Sequence, residues 1–201
     1  MNLLHKAVGI VFLTALAGFS RADVLVNTFG SSGVGYFPTV GWTLDSGTYM
    51  GKVFTVSGDY TLSEIDIALR MDSETDSMLV SLQGDNGGSP GATLESFTVT
   101  NSFGAGVSGV YNLASVTNAA LSTGTYYVTI EALNGSTGKW NLSNAGGQGQ
   151  LVVSNDGGNS WTTFTDTNGT VRVIGNPVPE PFSLFTLGAG VAVCLRRKRR
   201  A

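Results

Sequence analysis

The stretch Tyr60–Arg70 reads YTLSEIDIALR and decides the fold class. Apolar and charged residues alternate along its second half: Ile65, Ile67 and Leu69 against Glu64, Asp66 and Arg70. Because successive side chains of a strand point to opposite faces, this alternation predicts a β-strand whose apolar residues face the core and whose charged residues point outward. The stretch SMLVSLQ repeats the pattern, with Met78, Val80 and Leu82 on one face.

Similar β-rich stretches recur on both sides of this strand, and clusters of Gly, Asn, Asp and Ser separate them. No amphipathic helical pattern competes with them, and short strands joined by turns are typical of antiparallel sandwiches. We therefore expect an all-β, jelly-roll-like sandwich over residues 23–176. Its eleven predicted strands are 24–29, 52–56, 60–70, 77–83, 93–100, 110–114, 125–132, 139–142, 150–154, 161–165 and 171–174.

The charge of the predicted sandwich differs from that of its flanks. The whole chain has a formal charge of −3, but residues 23–178 contain only four basic residues against thirteen acidic ones, a net charge of −9. A body this acidic is repelled by phosphate backbones, which excludes nucleic acid as a partner.

The chain has a single histidine, His5, and a single cysteine, Cys194, and both lie in the terminal segments. The body therefore lacks the residues for Ser-His-Asp or Cys-His catalysis, for imidazole or thiolate metal sites, and for disulfides.

Residues 1–22 have the three parts of a secretory signal peptide. A positive segment ends at Lys6, an apolar run that we expect to be helical follows over 7–17, and Ser20 and Ala22 provide the small residues that a signal peptidase reads. We expect the mature chain to begin at Asp23.

Residues 177–201 contain three distinct features that follow one another along the chain. The motif Val178-Pro179-Glu180-Pro181 is followed by an apolar segment, 182–195, and then by Arg196, Arg197, Lys198, Arg199 and Arg200. Two prolines hold the motif extended, the apolar segment can enter a bilayer as a helix, and the basic cluster stays on the cytoplasmic side. As a helix, this 14-residue apolar segment spans about 21 Å, short of a hydrocarbon core of about 30 Å.

This tail resembles the PEP-CTERM sorting signal. The resemblance implies cleavage near the motif by exosortase, a membrane transpeptidase-like enzyme, so that the protein is membrane-associated until it is processed and is then at the cell surface or extracellular. The alternative is a plain tail anchor that is never cut. The stretches 85–91 and 121–127 are similar to those of choice-of-anchor β-sandwich domains, a resemblance that implies architecture and location but no activity.

One motif in the body is sharply defined. The stretch 154–161, SNDGGNSW, fits the Asp-box pattern at every fixed position: Ser154, Asp156, Gly158, Ser160 and Trp161. We interpret it as a structural hairpin in which Asp156 accepts backbone hydrogen bonds, Gly158 takes a positive φ and Trp161 packs beneath the turn.

Two groups of carboxylates are candidates for chemistry. Asp72, Glu74 and Asp76 form an oxygen-rich stretch that could bind Ca²⁺, or simply a solvated loop that protects a sheet edge. Glu64 and Asp66 are about 7 Å apart along one strand face, a spacing that a glycosidase could use, although solvation is the commoner role of such pairs.

Nine tryptophans and tyrosines could pack in the core or form a platform for sugar rings: Trp42, Trp140, Trp161, Tyr36, Tyr49, Tyr60, Tyr111, Tyr126 and Tyr127. The sequence does not say which of them are exposed. Three hypotheses follow: a non-enzymatic surface or matrix protein that contacts exopolysaccharide, a secreted carbohydrate-binding module, and a carboxylate-based glycosidase.

The signal-peptide interpretation predicts the first residue of the exported protein. N-terminal sequencing of material recovered outside the cytoplasm should begin at Asp23, because Ser20 and Ala22 are the small residues best placed after the apolar run. Met1 retained on that material would contradict the prediction.

Overall fold

A computed structural model describes residues 21–30 and 34–179 of the chain. Within these residues it has thirteen strands and no helix. The strands are β1 Asp23–Asn27, β2 Tyr36–Leu44, β3 Tyr49–Val56, β4 Tyr60–Met71, β5 Ser77–Asp85, β6 Pro90–Thr100, β7 Ser108–Ala114, β8 Ala120–Leu121, β9 Gly124–Leu133, β10 Gly138–Ser143, β11 Gln148–Ser154, β12 Thr162–Thr167 and β13 Val171–Pro177.

The described strands form two antiparallel sheets that pack face to face. The seven-stranded sheet has the order β1-β13-β4-β10-β2, with β7 and β8 also paired to β4. The six-stranded sheet has the order β12-β11-β3-β9-β5-β6. This arrangement confirms the prediction of an all-β sandwich, and each of the eleven predicted strands overlaps an observed one.

The core lies between the sheets and contains the residues that the alternation predicted. Ile65, Ile67 and Leu69 on β4 are fully buried, and so are Met78, Val80 and Leu82 on β5. Trp140 is the largest fully buried side chain among the described residues. Burial of each large apolar side chain stabilises the fold by roughly 1.5–3 kcal/mol.

The sequence prediction missed strands β2 and β8. Strand β2 contains Pro38 and Gly41, two residues that usually argue against a strand. Among the described strands, β2 is the last in its sheet order and pairs only with β10, so Pro38 sits in an edge strand, where proline is tolerated. Gly41 is required there because an added Cβ would lie 2.5 Å from the carbonyl oxygen of Trp140. Strand β8 has only two residues, too few for any pattern.

The prediction that Asp66 points into solvent was wrong. It lies on the outer face of β4, but its side chain is completely buried. Arg172 on β13 forms an ion pair with it, and the Asn112 amide on β7 donates a hydrogen bond to it. Arg172 also lies over the ring of Phe29, 5.8 Å from its centroid. Neighbouring strands therefore cover a carboxylate that the sequence pattern placed in water.

The two ends of the described sandwich lie at one edge of the seven-stranded sheet. Strand β1 begins at Asp23 and pairs with β13, where Asp23 lies opposite Gly175. After β13 ends at Pro177, the amide of Val178 donates a hydrogen bond to the Asp59 carbonyl oxygen at 2.9 Å. Val178 and Pro179 are exposed.

The signal peptide predicted over 1–22 is described only at residues 21 and 22. Of the sorting tail, Glu180, Pro181, the predicted helix over 182–195 and the basic cluster 196–200 lie outside the described residues. Within 21–30 and 34–179, no helix has the length and apolar character needed to cross a membrane.

A buried carboxylate joins the two sheets at one side of the sandwich. Glu95 on β6, 7% exposed, accepts hydrogen bonds from the segment after β7 in the opposite sheet. The donors are the hydroxyls of Ser115 and Thr117, at 2.6 and 2.8 Å, and the amides of Val116 and Thr117, at 2.6 and 3.2 Å. Burial raises the pKa of Glu95, but these hydrogen bonds outweigh it and lower the pKa to about 2.

Replacing this carboxylate should destabilise the protein. Glu95→Gln leaves two amides and two hydroxyls with a weaker acceptor, so we expect it to lower the free energy of unfolding at pH 7 by about 1–3 kcal/mol. Chemical denaturation of the full chain measures this change. Glu74→Gln, a substitution of an exposed acid in the β4–β5 loop, is the matched control and should change little.

The difference in stability between wild type and Glu95→Gln should depend on pH. A carboxyl whose pKa falls from 4.5 in the unfolded chain to about 2 in the folded one stabilises the fold fully above pH 4.5. That contribution is lost as the pH falls toward 2. The gap between wild type and Glu95→Gln should therefore close between about pH 4.5 and 2, and a gap that is unchanged at pH 2 would contradict this role for Glu95.

Candidate functional site

The Asp-box forms the tight connection between β11 and β12. Gly157 and Gly158 have φ values of 70° and 86°, in the left-handed region that glycine favours. The Ser154 hydroxyl accepts a hydrogen bond from the Gly158 amide at 2.8 Å, and the Gly157 amide donates to the Gly47 carbonyl oxygen at 3.1 Å in the β2–β3 turn. The positive φ of Gly158 confirms the expectation from the motif.

Asp156 organises this turn. Its carboxylate accepts hydrogen bonds from the Ser160 hydroxyl, from the Ser154 hydroxyl at 2.7 Å and from the Ser160 amide at 2.9 Å. These bonds, those from Ser160 and Ser154 foremost, lower the pKa of Asp156 to about 2. Asp156 itself is exposed, so the carboxylate acts as the centre of a surface hairpin.

The hairpin overhangs a groove on the outer face of the six-stranded sheet. The groove has a volume of about 270 Å³. Its floor comes from β3, β9, β5 and β6, one wall from the Asp-box and the other from the β5–β6 hairpin at Pro90 and Gly91. The side chains that matter most for its chemistry are Tyr49, Gln83, Thr93, Thr129, Glu131 and Trp161.

Two lining residues of the groove, Thr129 and Ser81, belong to a row of small side chains across the sheet. Gly51 on β3 pairs with Thr129 on β9, which pairs with Ser81 on β5. A Cβ on Gly51 would lie 2.9 Å from a Val152 methyl and 3.0 Å from the Thr129 methyl, so this position is packed without a side chain. The next row holds larger residues: Tyr49, Glu131 and Leu79. The groove is thus lined by adjacent rows that differ in side-chain size.

The polar groups of the groove are held by each other. The Tyr49 hydroxyl donates a hydrogen bond to the Glu131 carboxylate, which is the main cause that raises the pKa of Tyr49 to about 12. The Gln83 amide donates to the Thr93 hydroxyl and accepts from the Thr129 hydroxyl, both at 3.2 Å. These contacts fix the side chains before any ligand arrives.

Two aromatic residues form one end of the groove. The rings of Tyr49 and Trp161 are 6.4 Å apart between centroids and inclined at 56°. Gly158 lies against Tyr49, because a Cβ at that position would be 3.2 Å from the Tyr49 ring and 3.9 Å from Trp161. The Asp-box thus places Trp161 beside Tyr49, and both rings are partly exposed.

The other aromatic candidates divide between core and surface. Tyr36, Tyr111, Tyr126, Tyr127 and Trp140 are buried, which removes them from any sugar platform. Trp42 and Tyr60 are half-buried and pack against the core from elsewhere in the sandwich. Tyr49 and Trp161 are therefore the two of the nine that line the groove.

The carboxylates singled out in the sequence do not meet at this groove. The Asp76 carboxylate accepts a hydrogen bond from the Ser73 amide at 2.8 Å and closes its own loop, and Asp72 lies 3.6 Å from Arg70. No metal-binding group of three or more acidic, His or Cys side chains occurs within the part of the chain that the structure describes. The structure thus gives the contacts of Asp72 and Asp76, whereas Ca²⁺ binding by Asp72, Glu74 and Asp76 stays a prediction.

The side chains of Glu64 and Asp66 interact with each other. Their side chains form a hydrogen bond with each other, and this bond is the main cause that raises the pKa of Glu64. A glycosidase needs room for a sugar between carboxyl groups about 5–9.5 Å apart. Asp66 is fully buried and paired with Arg172, so a sugar does not reach its carboxylate.

Comparison of the chain with known protein families and with curated proteins finds no match.

The hydrogen bonds of the Asp-box predict the effect of Asp156→Asn. An amide cannot replace both carboxylate oxygens as acceptors, so the variant should have a lower melting temperature than wild type at pH 7. The difference should shrink as the pH falls from 3.8, the ordinary pKa of the group, toward about 2, where the wild-type carboxyl also becomes protonated. Thermal melts followed by circular dichroism measure both effects.

Asp45→Asn is the matched control for this variant, because Asp45 is an exposed acid in the adjacent β2–β3 turn. Equal melting temperatures for Asp156→Asn and Asp45→Asn would show that the carboxylate does not organise the turn.

Proposed function

We propose that this chain is an exported, non-enzymatic protein of the cell surface or extracellular matrix, sorted through its C-terminal tail and in contact with exopolysaccharide. The order of features in the tail carries the proposal: an extended Pro-Glu-Pro motif, an apolar segment and five basic residues. Signal peptidase and exosortase are the processing enzymes that it implies. We also propose that the sandwich has a jelly-roll-like topology and that residues 7–17 and 182–195 form helices.

The positions of the chain ends support the sorting hypothesis. The first strand begins at Asp23, the residue expected to follow signal-peptide cleavage. The last strand ends at Pro177, and the first residues of the motif, Val178 and Pro179, are exposed. A protease at the membrane surface can therefore approach the start of the motif without opening the sandwich.

The composition of the groove supports binding rather than hydrolysis. Glu131 is the one carboxylate among the described side chains that line it, whereas glycoside hydrolysis ordinarily uses a pair. The histidine and the cysteine of the chain also lie outside the body. A secreted carbohydrate-binding module is the second candidate, and the aromatic rim of the groove favours it.

Tail processing tests the proposal. In a host that has exosortase, intact-mass analysis of the exported protein should find that the apolar segment 182–195 and the basic cluster have been removed. Glu180→Ala should leave the protein membrane-associated with its full C-terminal mass, because the motif is no longer recognised. Glu74→Ala, at an exposed acid of the body, should be processed like wild type.

Retention of Ala201 on most wild-type surface protein in that host would overturn the sorting hypothesis. A plain C-terminal anchor would then replace it.

A further inference from the structure

The groove under the Asp-box combines two kinds of contact. Tyr49 and Trp161 offer flat, partly exposed rings, while Gln83, Thr129 and Glu131 offer hydrogen-bonding groups next to them. A sugar ring has the matching chemistry, since its C–H faces pack on aromatic rings and its hydroxyls both donate and accept. Glu131 can accept several hydrogen bonds from sugar hydroxyls, because a carboxylate has about four lone-pair sites.

The charge of the groove selects among sugars. No lysine or arginine is among the described residues that line it, and Glu131 gives it a negative charge. Residues 23–178 as a whole carry a net charge of −9. Uronate, sulfate or phosphate groups would be repelled here and would find no cation to pair with. An uncharged glycan meets no such penalty.

The groove is organised before binding. The Gln83 amide is held by the hydroxyls of Thr93 and Thr129. Trp161 is placed by a hairpin that Asp156 fixes through three hydrogen bonds. Side chains that are already ordered lose little entropy when a ligand binds, so a shallow site can still bind usefully.

The size of the groove limits what it holds. Its volume of about 270 Å³ is just below the usual range of roughly 300–1,000 Å³ for sites that enclose a drug-sized molecule. It lies on an outer sheet face that is partly open to solvent, so a longer chain can continue beyond it. A short segment of a polymer fits this shape better than a small metabolite that must be enclosed.

The aromatic end of the groove, at Tyr49 and Trp161, is far from the end of the sandwich where the tail leaves. Tyr49 begins β3, whereas β3 ends at Val56, just before Asp59, to which Val178 is hydrogen-bonded. Seven residues of strand at about 3.3 Å each put roughly 23 Å between the two ends. A protein held by its tail would keep this aromatic end of the groove away from the point of attachment.

We infer that the groove lined by Tyr49, Gln83, Thr129, Glu131 and Trp161 binds a short segment of an uncharged polysaccharide. Tyr49 and Trp161 pack against sugar rings, and Gln83, Thr129 and Glu131 hydrogen-bond to sugar hydroxyls. This inference deepens the proposed contact with exopolysaccharide and rests on it. It adds the site and the charge class of the glycan.

Titration calorimetry of the purified full chain against two panels of hexasaccharides tests the inference. The neutral panel contains cello-, xylo-, manno- and maltohexaose, and the anionic panel contains oligomers of guluronate and galacturonate. We expect binding to at least one neutral member and to no anionic one. Trp161→Ala and Tyr49→Ala should each weaken that binding at least about tenfold, as loss of a central aromatic contact does.

Controls separate loss of the site from loss of the fold. Phe37→Ala removes an aromatic side chain that is 47% exposed on the other sheet, and it should leave affinity unchanged. Thr93→Trp fills the groove from an exposed position and should abolish binding without lowering the melting temperature. Thr55→Trp is its matched control, because Thr55 is exposed on the same sheet face at the far end of β3.

Three results would overturn the inference: equal or tighter binding of the anionic oligomers, binding that survives both Trp161→Ala and Thr93→Trp, or no binding to any neutral hexasaccharide. The proposed export and sorting are measured separately by the masses of the two chain ends. A chain that is sorted but binds no glycan would refute only this inference. A chain that binds but keeps its tail would refute only the sorting.

Discussion

The whole sandwich depends on covering both faces of strand β4. This twelve-residue strand pairs with β13, β10, β7 and β8, so its backbone is enclosed within the seven-stranded sheet. Its inner face buries Ile65, Ile67 and Leu69 against the second sheet. Its outer face buries Asp66, which is tolerable only because Arg172 and Asn112 supply a charge and a hydrogen bond. Pairing with β4 therefore sets the positions of β13, β10, β7 and β8.

Period-two alternation predicted the fold class and most of the strands, because each sheet has one apolar face toward the core. The pattern failed where tertiary context decides. Pro38 and Gly41 hid an edge strand, since nothing local shows that the proline lies at the last strand of a sheet. The pattern predicts a solvated Asp66, because its partner Arg172 is more than a hundred residues away in the sequence. Local pattern cannot report a contact made by a distant strand.

The candidate site could be predicted only in part, for a similar reason. The Asp-box was evident from its own residues, and the structure shows that it also forms one wall of the groove and positions Trp161. The rest of the groove comes from side chains on four strands that only the sheet register aligns. No spacing along the chain signals that Gly51, Thr129 and Ser81 form one row. A structural motif and the wall of a surface groove therefore coincide here, and the sequence revealed only the motif.

The location of β13 has a mechanical consequence. Load applied to the C-terminal tail enters the fold at Pro177 and acts along β13, which is bonded to β4 on one side and to β1 on the other. If the resisting force acts at the far end of β3, tension runs parallel to the strands and their hydrogen bonds are sheared together. Pulling in this direction must break many bonds at once, whereas peeling from an edge breaks them one by one. The pairing of β13 with β4 and β1 would therefore make the sandwich resist traction between its C-terminal end and the far end of β3.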